Sequence, residues 1–301
     1  MLQEMELEIE GGRLLYEESP RGVTLRGMKA TGSRIALPDE INGRPVIRIE
    51  KKAFLSCKAV RELFLPCHLE EIGDWAFAYC SNLQAIFLPK KSLLLGKGIF
   101  KECEKLEYIG HLFAKGEEEI QAGYLLGVVP VKLEADYLFT PEEAGEKKWI
   151  ARFDDRLEFF LYQPDEEGYV KQVYCGEEDI MSNLDLYLAE RKRAKSRLCF
   201  MRLLHDVALS DVLRGRLQQY LAEHTKGCES EAAWEVLRME RGGEKAYYEV
   251  FTAAGCMKEE NYAGILEDMG EEYPEMKAYL MNYKAQQMQG EDFFSALSLD
   301  F

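Results

Sequence analysis

The sequence predicts an α+β chain in which a short N-terminal β-solenoid is followed by a mostly α-helical domain. Two observations carry this prediction. A 23-residue period runs through the first third of the chain, and beyond it the apolar residues fall into helix-spaced stripes separated by glycine-bearing turns.

The period is shared by several residue types. Phe54, Phe77 and Phe100 follow it, as do Cys57, Cys80 and Cys103, then Leu63, Ile86 and Ile109, and finally Pro66 and Pro89. Helices and strands repeat every ~3.6 and ~2 residues, so this common register requires a repeated supersecondary unit. One such unit cannot cover its own apolar side. Stacked units bury a continuous core of Leu, Ile and Phe, with the cysteines as a column of small buried side chains rather than a metal or redox site.

The first copy reads Ala53-Phe54-x-x-Cys57-x-x-Val60-x-x-Leu63-x-Leu65-Pro66. The second runs Leu69-x-x-Ile72-Gly73-x-x-Ala76-Phe77-x-x-Cys80-x-x-Leu83-x-x-Ile86-x-Leu88-Pro89, and the third Leu95-Gly96-x-x-Ile99-Phe100-x-x-Cys103-x-x-Leu106-x-x-Ile109. This unit resembles that of the BspA-like leucine-rich-repeat family, and Ile35 to Ile49 is similar to that family's entry into its first repeat. The resemblance implies a leucine-rich-repeat solenoid over roughly the first third of the chain. In the third copy Ser92 and Ile99 replace the expected aliphatic and alanine, and no Pro-bearing strand follows Ile109. A short solenoid of about four turns is therefore expected.

Strand alternation assigns the faces. With Leu63, Leu65, Ile86 and Leu88 pointing into the core, Glu62, Phe64, Ala85, Phe87 and Tyr108 point away from it. Phe64 and Phe87 then lie side by side on successive turns. Adjacent outward rings suit a protein partner, because they offer apolar area at small entropic cost; the alternative is that the second domain folds over them.

The repeat ends near residue 115, which gives expected domains of 1–114 (solenoid) and 115–289 (helical), with a tail at 290–301. Ile150, Phe153, Leu157, Phe160 and Leu161 keep helical spacing up to Pro164. Ile180, Leu184, Tyr187 and Leu188 form another stripe, and Leu198, Met201, Leu204 and Val207 continue it. Ser210 is placed to cap a helix carrying Leu213, Leu217, Tyr220 and Leu221, with Gly227 as its stop. Two antiparallel helix pairs are expected beyond, about 231–240 with 244–254 and 259–269 with 274–288, suggesting ankyrin-like or other α-solenoid stacking. The stretch from Ala254 to Lys284 is similar to helical endings that follow such repeats. The tail offers Phe293, Phe294, Leu297, Leu299 and Phe301 between acids, the pattern of a short docking motif; packing on its own domain is the alternative.

Charge narrows the partners. The net charge is −16, yet residues 1–113 hold 16 basic and 16 acidic residues, so all the excess acid lies beyond them. Such a surface repels phosphate backbones and anionic lipid, so neither nucleic acid nor a membrane is an expected partner. The basic run Arg191 to Arg197 sits beside Asp185 and Glu190 and reads as a salt-linked helix face. The first ten residues alternate acid and apolar side chains where an export signal needs a basic stretch and an apolar run, and no segment approaches the ~20 apolar residues of a membrane helix. Eight dispersed cysteines read as free thiols, and a cytoplasmic location is expected.

Catalytic patterns are weak. Four histidines, His68, His111, His205 and His224, are available, and no G-x-S-x-G occurs. His224-x-x-x-Cys228 and Cys67-His68 fall short of the about four ligands of a closed zinc site. Gly96-Lys97-Gly98 lacks the phosphate-loop spacing, and Gly96 aligns with the repeat glycine Gly73. Asp154-Asp155 and Glu177-Glu178-Asp179 lack the alternating calcium-loop pattern. The expectation is a non-catalytic protein–protein interaction module with no cofactor and no metal, using the repeat sheet face. An extracellular, adhesin-type binding protein, as family members with export signals look to be, is the alternative.

Overall fold

The computed structural model describes residues 4–169 and 184–297. By backbone proximity the chain divides into two compact units, Met1–Phe160 and Leu161–Phe301.

The first unit is built on two sheets. The seven-stranded sheet begins with β1 (Met5–Ile9), β2 (Gly12–Ser19) and β3 (Gly22–Ala30), continues through β6 (Arg44–Ile49) and β8 (Glu71–Ile72) to β10 (Leu94–Leu95), and has β5 (Glu40–Ile41) paired on β6. The four-stranded sheet is β4 (Arg34–Ala36), β7 (Glu62–Phe64), β9 (Ala85–Leu88) and β11 (Tyr108–His111), parallel throughout. Each turn of the solenoid contributes one short strand to each sheet. The expected turns of about 23 residues are therefore present, about four of them, and the α+β class holds.

Register shows the stacking directly. Leu63 pairs with Ile86, and Ile86 with Ile109; all three are buried. The rings of Phe54 and Phe77 lie 5.3 Å apart and those of Phe77 and Phe100 5.6 Å apart, so these phenylalanines are superposed rungs of one core. The connecting turns are also hydrogen-bonded between copies, as in Phe54 N to Ala76 O at 2.8 Å and Phe77 N to Ile99 O at 3.0 Å. The cysteine column uses its sulfurs to satisfy backbone. Cys80 Sγ donates to Phe54 O at 3.1 Å and Cys103 Sγ to Phe77 O at 3.2 Å, each reaching the preceding turn.

Both ends of the solenoid are capped, as an open apolar rung must be. At the N-terminal end the antiparallel ribbon β1–β2–β3 closes the larger sheet, an element the sequence reading did not anticipate. Glu6 and Glu8 of its outer strand point to solvent and both pair with Arg13. At the other end, α1 (Glu117–Val128) packs along β11, and Phe139 meets Phe100 edge-on at 5.7 Å, extending the phenylalanine column onto a capping segment. The 3-10 turn Asp136–Leu138 accepts a hydrogen bond from Trp149 Nε1 at Leu138 O, 2.9 Å, which ties down α2 (Lys147–Tyr162). The end of the repeat near residue 114 and the division between compact units near residue 160 are thus two different boundaries. Helices α1 and α2, expected to belong to the helical domain, lie largely in the first unit: α1 packs on β11 of the last rung, and α2 is hydrogen-bonded to the segment that follows α1, through Trp149 to Leu138 O and Arg156 to Leu133 O.

The second unit is helical: α3 (Leu184–Leu204), α4 (Asp211–Glu223), α5 (Ala232–Glu240), α6 (Lys245–Ala253), α7 (Glu259–Met269) and α8 (Pro274–Leu297). Ser210 caps α4 as expected, accepting from Leu213 N at 3.2 Å. Gly227 does not end that helix. The helix stops at Glu223, where Tyr220 O accepts from the His224 ring, and Gly227 turns with φ +83 only afterwards. Val207 likewise falls outside α3, because Arg202 folds over the helix end and donates to His205 O and Val207 O. The closest backbone approaches join α3 to α4, α5 and α6, and α6 to α8. Packing is organised on the long, buried-faced α3 rather than on successive hairpins alone. Ile180 lies outside the described residues.

Candidate functional site

The outward side chains of the four-stranded sheet form two columns in strict register. Arg34, Glu62, Ala85 and Tyr108 make one; Ala36, Phe64, Phe87 and Gly110 make the other. All five predicted face residues, Glu62, Phe64, Ala85, Phe87 and Tyr108, are half-buried, whereas their strand neighbours Leu63, Leu65, Ile86 and Leu88 are fully buried. Alternation along three- and four-residue strands is enough to place them, because successive side chains of a strand take opposite faces.

The rings form a continuous ladder. Phe64 and Phe87 are stacked with centroids 4.3 Å apart and planes within 2°. Phe87 meets Tyr108 at 5.5 Å, and Tyr108 meets Tyr124 of α1 edge-on at 4.9 Å. Tyr108 stands one column away from Phe87 in register, yet its ring crosses into the phenylalanine column because Gly110 has no side chain: a Cβ there would lie 2.3 Å from the Tyr108 ring. At the opposite end the Arg34 guanidinium sits 4.9 Å from the Phe64 centroid and 3.5 Å from Glu62 Oε2. The strip is therefore a plate of rings with a cation over one end and α1 against the other.

Helix α1 answers part of the question of cover. It occupies the Tyr108 end, where a Cβ on Gly123 would come within 2.5 Å of that ring, and burial raises the Tyr108 hydroxyl above its ordinary pKa. Tyr124 and Arg34 were not among the predicted residues. Arg34 was legible as the residue in register with Glu62 one turn earlier; Tyr124 was not, since only the docking of α1 brings it to the ladder.

Two of the four histidines are held by packing and hydrogen bonds. His111 is buried with Nε2 3.0 Å from Pro141 O, and His224 stacks on Tyr220 at 4.1 Å. Gly96 is structural, because a Cβ would lie 2.4 Å from Asp74 N of the preceding turn. Among the described residues no three His, Cys, Asp or Glu side chains are grouped to hold a metal ion, and no helix is long and apolar enough to cross a membrane. Glu177, Glu178 and Asp179 lie outside the described residues. Within the basic run, Arg193 pairs with Glu190 and Glu235, and Arg197 with Glu190 and Glu240, so these cations are salt-linked. Leu299 and Phe301 of the tail lie outside the described residues, as do the side chains of Phe293, Phe294 and Leu297; the backbone at 291–297 continues α8.

Stacked parallel strands, a phenylalanine column and a repeated turn define a leucine-rich-repeat solenoid. Residues 34–121 match the BspA type leucine rich repeat region, in six copies, and the helices beyond lie outside that match. Among solved structures, the chain is similar to a leucine-rich-repeat protein of T. pallidum, at 28% identity over 36% of this chain and 50% of that one, with a TM-score of 0.32. It is also similar to a leucine-rich cell surface protein of Faecalibacterium prausnitzii A2-165, at 22% identity over 36% of this chain and 30% of that one, TM-score 0.29. The chain thus spans half or less of each of these structures. No curated protein matches it.

Proposed function

We propose that this protein is a non-catalytic protein-binding module and that its partner docks on the outward face of the four-stranded sheet, over Phe64, Phe87, Ala85 and Glu62. The observation that supports this reading is the coplanar Phe64–Phe87 stack on the solvent side of a rigid solenoid, with Arg34 over its end. Two rings held in place by register lose little conformational entropy when a partner covers them, and a guanidinium with a neighbouring carboxylate supplies direction. Tyr108 contributes to the strip from under α1. A cytoplasmic setting suits the free thiols of the cysteine column.

The experiment is comparative affinity capture from the native cells with the wild-type chain and the Phe64→Ser/Phe87→Ser variant, read by quantitative mass spectrometry. At least one protein should fall about tenfold with the variant, the size of losing a hot-spot contact. Equal recovery of every captured protein overturns the reading.

A further inference from the structure

The larger sheet ends in a strand with one side unpaired. β1 pairs with β2 along one edge, and among the described residues no strand lies along the other. Which backbone groups are left over follows from the next strand inward. Thr31 N and Gly32 N both donate to Gly11 O at 2.9 Å, so Gly11, and with it Arg13 and Leu15, turns its backbone groups toward β3. Gly12, Leu14 and Tyr16 then face β1, where their register partners are Ile9, Leu7 and Met5. The N–H and C=O groups of Glu6 and Glu8 are therefore the ones that point out of the sheet.

The same two residues set the chemistry of the edge. A residue that exchanges both backbone hydrogen bonds with a neighbour in an antiparallel pair sits directly opposite it, with ~5.5 Å between Cα atoms and both side chains on one face. A strand added to β1 thus sets its own side chains against Glu6 and Glu8. Glu4 and Glu10 adjoin them at the two ends, and all four carboxylates are exposed. The cations on this face lie further in: Arg13, opposite Glu8 on β2, pairs with Glu6 and Glu8, and Lys29 stands opposite Arg13 on β3. Four acids against these two bases leave the rim negative, and the acids are nearest the open side. The other face of β1 carries Met5, Leu7 and Ile9, each half-buried, the first two in register with the buried Tyr16 and Leu14. An added strand would cover the exposed parts of these apolar side chains. A second copy of β1 is opposed: every antiparallel register that uses the outward backbone groups sets glutamate opposite glutamate, a device that keeps edge strands from pairing with themselves.

We propose that β1 is the docking edge for an extended basic segment of another protein, one in which Lys or Arg alternates with apolar residues. Its cations meet Glu6 and Glu8, its backbone completes their hydrogen bonds, and its apolar side chains lie over Met5, Leu7 and Ile9. The edge belongs to the seven-stranded sheet and the Phe64–Phe87 plate to the four-stranded one, so either surface can fail without the other.

The probe is a labelled, end-blocked peptide Lys-Val-Lys-Val-Lys-Val-Lys, titrated with the full chain and read by fluorescence anisotropy. Saturable binding is expected that weakens with added salt. N-methylation of the lysine amides keeps every charge and removes the hydrogen bonds, and should weaken binding about tenfold. Glu8→Pro should do the same from the other side, since proline is tolerated where the N–H of an edge strand faces outward. Glu6→Lys/Glu8→Lys should reject this peptide and accept its Glu-Val counterpart. Circular dichroism melts confirm that each variant is folded, and the methylated peptide tests the edge on the wild-type chain alone. No binding, equal binding of the methylated peptide, or undiminished binding to both variants would overturn the proposal. So would a dimer of the wild-type chain that Glu8→Pro dissociates, which would make a second copy the occupant.

Discussion

Gly127 of α1 lies so close to Glu107 that a Cβ would come within 2.3 Å of the Glu107 carbonyl oxygen. The helix that closes the solenoid is therefore seated by a glycine against the backbone of the last repeat. Gly127→Ala must push α1 off β11, and overpacking of this kind costs about 1–3 kcal/mol. Urea unfolding of the wild type and variant measures it; an unchanged midpoint would show that α1 is not a fixed cap.

The phenylalanine column is the core of the repeat, and its central ring, Phe77, is completely buried. Phe77→Ala should destabilise the first unit by about 3–5 kcal/mol through lost burial and the cavity left between two rungs. Phe64→Ala, on the outward face, should cost far less. Equal losses at the two positions would contradict the assignment of the faces.

Ser56 sits at φ +59 in an exposed turn, and its backbone N–H donates to Ala78 O without help from its side chain. A left-handed residue with a Cβ costs about 1 kcal/mol that glycine avoids. Ser56→Gly should therefore raise stability by up to about 0.5 kcal/mol once the extra freedom of glycine in the unfolded chain, about 0.4–1 kcal/mol, is subtracted. A lower melting temperature would contradict the turn geometry.

His111 is buried, its Nδ1 has no partner, and burial lowers its pKa below the ordinary 6.5. As pH falls, the unfolded chain takes up this proton before the folded one does, so stability is lost below the unfolded value and is unaffected well above it. Between pH values of about 7.5 and 5.5 the wild type should lose more stability than His111→Gln. Parallel losses in urea titrations of the two proteins would remove His111 as the cause.

Thiol reactivity tests the cysteine column. Burial pushes Cys57 up to about 12, and Cys80 is raised by its neighbour Cys103 and by burial. Cys256 is pushed up to about 12 by burial as well. With a thiol reagent at pH of about 8, peptide mapping of the native protein should find Cys67 and Cys228 modified first, since these two alone are partly exposed among the described cysteines. Modification of Cys80 at the same rate would mean that the rungs are open.

Much of this architecture was legible because a solenoid writes its structure into sequence position. The step from Phe54 to Phe77 to Phe100 is both a sequence interval and a physical one, so register, core and outward face followed together. The two caps were not legible. The β1–β3 ribbon has no repeat, and α1 is recognised as a cap only when Gly123 and Gly127 are seen against Tyr108 and Glu107. Within the helical unit the stripes located the helices, but helix ends such as those at Glu223 and Leu204 were set by side chains folding back onto carbonyls, a tertiary matter that Gly227 and Val207 did not reveal.

The sheet face as a docking surface is tested most directly by site-specific photo-crosslinking in the native cells, with the photoreactive residue at Ala85, between Glu62 and Tyr108, and a control at the exposed Val212 of the helical unit. The account predicts a discrete protein adduct from position 85 that is absent from position 212 and disappears in the Phe64→Ser/Phe87→Ser background. No adduct at 85, or the same adducts from both positions, would contradict it.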